Sequence, residues 1–166
     1  AAATSVIAGA GTFVAFPVYL PAGTLDRIAV STTVAAASTW RLGLYDVDGS
    51  TGLAQGRAAI LDAGTVNMNA TAGVLAITIS QVITEGLYWL AIVCDSYTAN
   101  PTTHNLNYGS NTQPQVFGLP TNMSSLGRYT VGYLYGSTVA TGSMPTFPSS
   151  SLSWTGTLPR VAVRYA

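Results

Sequence analysis

Two acidic side chains one residue apart, in the stretch LYDVDGSTG at residues 44–52, are the first candidates for chemistry. A calcium loop of the EF-hand type takes oxygen ligands from positions 1, 3 and 5, a glycine from position 6 and a glutamate from position 12. Counted from Asp46, position 3 is Asp48, and positions 5, 6 and 12 hold Ser50, Thr51 and Arg57. The pattern therefore fails at three positions. Since Asp-Gly is a favoured turn pair, the sequence predicts a turn at Asp48-Gly49 and no metal site, with a bound cation as the weaker alternative.

The other groups with catalytic potential are few. Glycan hydrolysis needs two carboxyl groups roughly 5 to 9.5 Å apart, one of them with a pKa raised by burial. The chain has six acidic residues: Asp26, Asp46, Asp48, Asp62, Asp95 and Glu85. Most of them lie beside glycine or at strand ends, where solvated turn residues are expected. The G-x-S-x-G motif of serine hydrolases is absent. One histidine and one cysteine cannot complete a closed zinc site within a chain. The sequence therefore predicts a protein that is not an enzyme and needs no cofactor.

Cys94 and His104 each have a structural interpretation. Cys94 stands among apolar neighbours in WLAIVCD, which predicts a small buried core residue, and as the single cysteine it cannot form a disulfide within the chain. His104 lies in the polar stretch NPTTHNLNYGS, which predicts an exposed loop residue.

Aromatic residues are better candidates for binding, because sugars and protein partners pack against exposed tyrosine and tryptophan rings. Trp40 and Trp89 lie in regular alternation, which predicts core packing. Rings in the irregular stretches are either surface contacts or anchors that hold the loops, and the sequence leaves both interpretations open; they are Tyr97, Tyr108, Phe117, Phe147 and Trp154. The predicted binding residues are Tyr97, His104, Tyr108, Phe117 and Trp154. Because tyrosine is favoured at interfaces, the predicted subunit-interface residues are Tyr129, Tyr133 and Tyr135.

The charge content is unusually low. Only 7% of the 166 residues are charged, with six arginines, no lysine and a formal net charge of zero, whereas surfaces of soluble proteins carry roughly 25–35% charged residues. Without a basic cluster, a nucleic-acid partner is not expected. No segment approaches the ~20 consecutive apolar residues of a membrane-spanning helix, so membrane insertion is not expected either. The composition predicts contacts between copies of the chain or with a larger assembly.

Alternation with a period of two runs through most of the chain and predicts about eight strands. Pro17 suggests that the first of these strands lies at a sheet edge, and the doubly apolar GLYWLAIVCD is typical of a central strand. Residues 96–127 and 136–157 are predicted to be long irregular stretches. The expected fold is all-β: an antiparallel two-sheet β-sandwich of jelly-roll type. It forms a single domain over residues 1–166, with residues 1–11 as an N-terminal arm or linker.

Several phrases, taken together, resemble a known kind of domain: TLDRIAVSTTVAAASTWRLGLYDVDGSTG, LDAGTV, ITISQVITEGLYWLAIV, GSMPTF and GTLPRVAVRY. In this order they are similar to a β-sandwich domain common at the C-terminal ends of phage tail-fibre and minor tail proteins. The resemblance covers roughly residues 12–95 and 139–165 and includes no catalytic motif.

The resemblance implies a virion surface module, generally trimeric, that contacts other virion proteins and a glycan or protein on the host cell. Some relatives of this kind are located on capsids, so a capsid decoration (cementing or head-fibre) protein is the first alternative. A carbohydrate-binding module is the second.

Overall fold

The computed structural model describes residues 4–6, 9–69, 72–99, 102–104, 132–135, 139–149, 152–155 and 159–166. These residues contain eleven strands and no helix. The strands are β1 (Thr4–Val6), β2 (Phe13–Leu20), β3 (Gly23–Val34), β4 (Ser38–Tyr45), β5 (Leu61–Asn67), β6 (Gly73–Ile83), β7 (Gly86–Tyr97), β8 (Thr102–His104), β9 (Gly132–Tyr135), β10 (Leu152–Thr155) and β11 (Val161–Tyr165). A search of the described residues for a helix long and apolar enough to cross a membrane finds none.

The strands form two antiparallel sheets, so the predicted all-β sandwich is confirmed. Within them, the first eight strands make two layers of four, in the orders β1-β8-β3-β6 and β2-β7-β4-β5. The chain passes from one layer to the other at every step except β4 to β5. This winding is that of a double-sheet jelly roll.

Three further strands enlarge the two layers. Strands β9 and β10 extend one sheet beyond β2, giving the six-stranded order β10-β9-β2-β7-β4-β5. Strand β11 pairs with β3 on the edge that β3 also shares with β8, giving the five-stranded sheet. The described residues therefore contain eleven strands, where about eight were expected.

The main core lies between the sheets and follows from the alternation of the sequence. Val14, Phe16 and Leu20 of β2 face inward, as do Trp40, Leu42 and Leu44 of β4. Opposite them, the five-stranded sheet contributes Leu25, Ile28, Val30 and Val161. Along regular strands every second side chain is buried because successive side chains point to opposite faces, and the register shift between Leu25 and Arg27 lets Leu25 and Ile28 both face inward.

A second cluster covers the outer face of the six-stranded sheet. Phe13, Tyr45 and Trp89 point away from the sandwich core, yet they are buried beneath the β4–β5 connection and residues 139–149, which we call the strap. The strap joins the fold through backbone hydrogen bonds, including Phe147 N–H to the Arg57 carbonyl at 2.8 Å. Strand β7 is apolar on both faces because both are covered, as its sequence predicted.

Several expectations need correction. Strands β8 and β10 lie within stretches predicted to be irregular, and β1 lies within the segment expected to be an arm or linker. All three are only three or four residues long, too short for alternation to reveal. Strand β2 is not simply an edge strand, because it lies between β7 and β9. Within β2, the described pairing with β9 covers Phe13–Ala15, and Pro17 lies in the half of β2 for which pairing with β7 alone is described.

Candidate functional site

The Asp46–Asp48 stretch forms a closed turn. The Arg57 guanidinium donates two hydrogen bonds to the Asp46 carboxylate, with Nε to Oδ1 at 2.5 Å. Asp48 Oδ1 accepts the backbone N–H groups of Ser50 at 2.9 Å and Thr51 at 3.1 Å. Hydrogen bonds from Ser50 hold the pKa of Asp48 below its ordinary value, and the hydroxyl contributes more than the backbone N–H. Both carboxylates thus have protein partners.

The predicted turn is confirmed, but its glycine is a different one. The positive φ of 68° belongs to Gly52, whose N–H donates to the Asp48 carbonyl at 2.8 Å. Gly49 was expected to adopt that conformation and does not. Among the residues that the structure describes, no three His, Cys, Asp or Glu side chains lie close enough together to hold a metal ion.

Arg41 links two further carboxylates to the strap. Its guanidinium donates to Asp62 at 3.0 and 3.1 Å and to Asp95 at 3.5 Å. Asp62 and Asp95 also accept hydrogen bonds from the strap. The Met144 N–H donates to Asp62 at 2.9 Å, and the Gly142 N–H donates to Asp95 at 2.6 Å.

The direction of the Asp62 pKa shift indicates that these ion pairs have a structural role. Burial raises the pKa of Asp62, but the N–H groups of Met144 and Gly64, together with Arg41, outweigh it and leave that pKa below its ordinary value. A general acid in glycan hydrolysis requires the opposite shift. The network therefore stabilises the strap, and its geometry does not suit proton donation.

Cys94 is fully buried in the main core, as predicted. Burial raises the pKa of its thiol to about 11, with a smaller contribution from Asp95. The thiol is therefore protonated at neutral pH and is a poor nucleophile.

For Phe147 the sequence left two interpretations open, a surface contact and an anchor of the loop, and the structure shows the anchor. Its side chain is 1% exposed and is the centre of the cluster beneath the strap. Its ring makes edge-to-face contacts with Phe13 and Tyr45, both at 5.2 Å between centroids, and with Trp89 at 5.5 Å. Phe147 is thus the anchor of a long loop, which was the structural alternative for these aromatics. Trp40 and Trp89 are buried, as predicted.

Tyr97 is the predicted binding residue whose side chain the structure describes. It ends β7 with 38% of its surface exposed. It pairs with Ser38, and the following Thr98 N–H donates to the Ala37 carbonyl at 2.8 Å. Tyr97 therefore lies at the end of the sandwich where β4 begins, beside the β3–β4 turn.

The other predicted residues are placed through their backbones or lie outside the described part of the chain. His104 pairs with Thr4 in the β1–β8 ladder, so it lies in a short strand and not in a loop. Trp154 of β10 pairs with Tyr133 of β9, and Tyr135 pairs with both Phe13 and Leu152. Three predicted residues fall outside the described residues: Tyr108, Phe117 and Tyr129.

The outer face of the five-stranded sheet is a surface that the sequence interpretation missed. Val74 and Val82 of β6 are each 72% exposed on this face. Ala76 and Ala162 are exposed there too, so much of the face carries small or apolar side chains. The signal was present in GVLAITISQVI, where the outward set of the alternation contains valine, alanine and threonine and no charge.

Scans against protein-family models, curated protein sequences and solved structures find no match to this chain.

Proposed function

We propose that this chain is a non-enzymatic virion surface module of the tail-fibre or receptor-binding type. It attaches the particle to a host cell surface and acts as a homo-oligomer, with a trimer as the expected form. The observation that carries the proposal is how the chain uses its few charges. Most charged side chains in the described residues are paired with one another, so few isolated charges remain on the surface that these residues form.

Each ion pair holds two segments of the fold together. Arg41 joins β4 to Asp62 of β5 and Asp95 of β7, and Arg164 of β11 joins Asp26 of β3, with Nε to Oδ1 at 2.9 Å. Arg57 and Asp46 close the β4–β5 connection. Such a surface has little charge to keep molecules apart, so it suits a protein that works by contact.

The fold is compatible with this function. Double-sheet jelly rolls occur in viral capsid and lectin domains, where loops and sheet faces present binding surfaces on a rigid scaffold. The phrases that resemble tail-fibre domains cover β3 to β7, the strap and β11, which form most of the sandwich.

The expected mechanism is multivalent attachment. An oligomer presents several copies of a weak site, and simultaneous engagement raises avidity by about 10²- to 10⁴-fold without any new contact. Tyr97 is the described aromatic residue best placed to contribute to such a site, because it is exposed at an end of the sandwich beside a turn.

The test is binding of the labelled 166-residue chain to a panel of bacterial strains, measured by flow cytometry. A second readout is whether the added chain blocks phage infection of the strains that it binds. A matched pair of variants identifies the binding end. Tyr97→Ala should weaken binding about tenfold, a typical effect of losing an aromatic contact residue. Tyr19→Ala is the control, because Tyr19 is also exposed but lies at the opposite end of the sandwich, where its hydroxyl donates to Glu85 at 2.7 Å.

The second candidate is a capsid decoration protein, favoured by the small and apolar side chains on much of the outer face of the five-stranded sheet. Such a protein should bind purified capsids and protect them from heat, and should not bind cells. A chain that binds only a glycan array, as a monomer, would instead be a carbohydrate-binding module. Binding to neither cells nor capsids would contradict both virion proposals.

A further inference from the structure

Strand β6 has one edge for which the described residues provide no partner. It pairs with β3 from Gly23↔Ile83 to Thr32↔Gly73; among the described strands β5 of the other sheet lies near it, but none forms a second ladder with it. An open edge offers a row of backbone N–H and C=O groups for pairing with another strand. Natural edge strands are usually protected by charges, proline or short length. Strand β6 is eleven residues long and contains neither a charged residue nor a proline.

The sequence of β6 is close to a palindrome about Thr78. Reading outward from this residue in GVLAITISQVI, Ile77 matches Ile79, the small Ala76 matches Ser80, and Val74 matches Val82, whereas Leu75 lies opposite the unlike Gln81. In an antiparallel pair of identical strands centred on Thr78, these matched residues become direct cross-strand neighbours. Apolar and β-branched cross-strand pairs stabilise sheets, so the strand is complementary to its own copy.

The burial pattern agrees with this register. Exposure alternates strictly along β6, and the register shift opposite it, between Leu25 and Arg27, does not interrupt that alternation. In the pair, the exposed Val74 would lie against Val82 of the second copy on the outer face. On the inner face Ile77 and Ile79, which are only partly buried, would gain the same kind of cover.

We infer that two copies of this chain associate through β6, antiparallel and centred on Thr78, so that their five-stranded sheets become one continuous sheet. The contact is isologous, with the twofold axis perpendicular to the sheet. Alone it builds a dimer, and with a separate threefold contact it builds a hexamer. The inference does not depend on the attachment function, because it concerns only how copies of the chain meet.

One charged group opposes this contact. The Arg27 guanidinium donates to the Thr78 hydroxyl, so the two copies of Arg27 would approach each other near the axis. Salt screens such repulsion over about 8 Å at physiological ionic strength. The dimer should therefore strengthen as salt rises, and Arg27→Gln should strengthen it at low salt.

The experiment measures the dissociation constant of the full chain by sedimentation equilibrium for two double variants. In V74K/V82K, lysine faces lysine at two symmetry-related places, and dimerisation should weaken about 10- to 100-fold. In V74K/V82E, each lysine faces a glutamate of the other copy, and the dimer should form about as well as in the wild type. Both variants change the same two exposed positions, so a folding defect would affect them alike.

Two controls locate the contact. Ala162→Lys places a charge on the same outer face but on β11, so it should leave edge pairing unchanged while blocking face-to-face stacking of the sheets. Hydrogen exchange should show β6 amides that become protected as protein concentration rises. Three results would overturn the inference: a monomer at every concentration, equal association of the two double variants, or dissociation caused by Ala162→Lys alone. Failure of cell binding would leave it intact.

Discussion

Replacement of Phe147 by alanine tests the structure of the strap most sharply. The ring is buried and touches three other aromatic rings at centroid distances of 5.2 to 5.5 Å. Removing a buried phenylalanine costs about 3–5 kcal/mol, because apolar burial is lost and a cavity remains. A domain of this size loses about 2–4 °C of melting temperature per kcal/mol, so Tm should fall by roughly 6–20 °C.

The assay is urea unfolding followed by tryptophan fluorescence, because Trp89 packs directly against Phe147 and reports the release of the strap. Phe147→Leu is the matched control, and its cost should stay below about 1.5 kcal/mol since most of the volume is kept. A surface residue would behave differently: its replacement changes stability by no more than about 0.5 kcal/mol. A change that small for Phe147→Ala would refute the buried position of the ring and with it the anchoring of the strap.

Gly43, Cys94 and Asp62 provide three further tests of the fold. Gly43→Ala should destabilise the fold by about 1–3 kcal/mol in urea unfolding, because a Cβ there would lie 2.7 Å from Cε of Met144, whereas Gly49→Ala meets open space and should be neutral. The Cys94 thiol should resist alkylation until the protein unfolds, and rapid labelling of the native protein at pH 8 would contradict its burial. Because the pKa of this thiol is raised in the folded state, the free energy of unfolding should decline as pH rises from about 9 towards 11. The lowered pKa of Asp62 stabilises the fold at pH values above 3.8, the ordinary pKa of aspartate, and this stabilisation is lost as pH falls. Asp62→Asn should therefore cost about 1–2 kcal/mol at pH 7 and reduce the loss of stability in acid. If the dependence of stability on pH were the same in the variant and the wild type, the role of this carboxylate would be refuted.

The sequence predicted the parts of the fold that depend on long alternating segments. Strands β3, β4, β6 and β7 each have eight residues or more, and their inward sets could be read directly from the period of two. Strands β1 and β8 could not be found in this way, because three residues do not establish a period. They pair with each other and complete one layer of the jelly roll.

The candidate sites were less predictable because they depend on contacts between distant segments. Nothing near Phe147 in the sequence indicates that it will lie between Phe13 and Tyr45. Asp62 and Asp95 look like solvated strand-end acids, and only the folded chain brings Arg41 between them. The open edge of β6 was equally hidden, since pairing partners are a property of topology.

The association state of the wild-type chain decides whether a surface so poor in free charge is completed by other copies of the chain. Sedimentation equilibrium over a wide concentration range gives the molar mass for comparison with the 17.1 kDa monomer. The account predicts a reversible oligomer whose association strengthens with salt. A monodisperse species of 17.1 kDa at every concentration and ionic strength would contradict it.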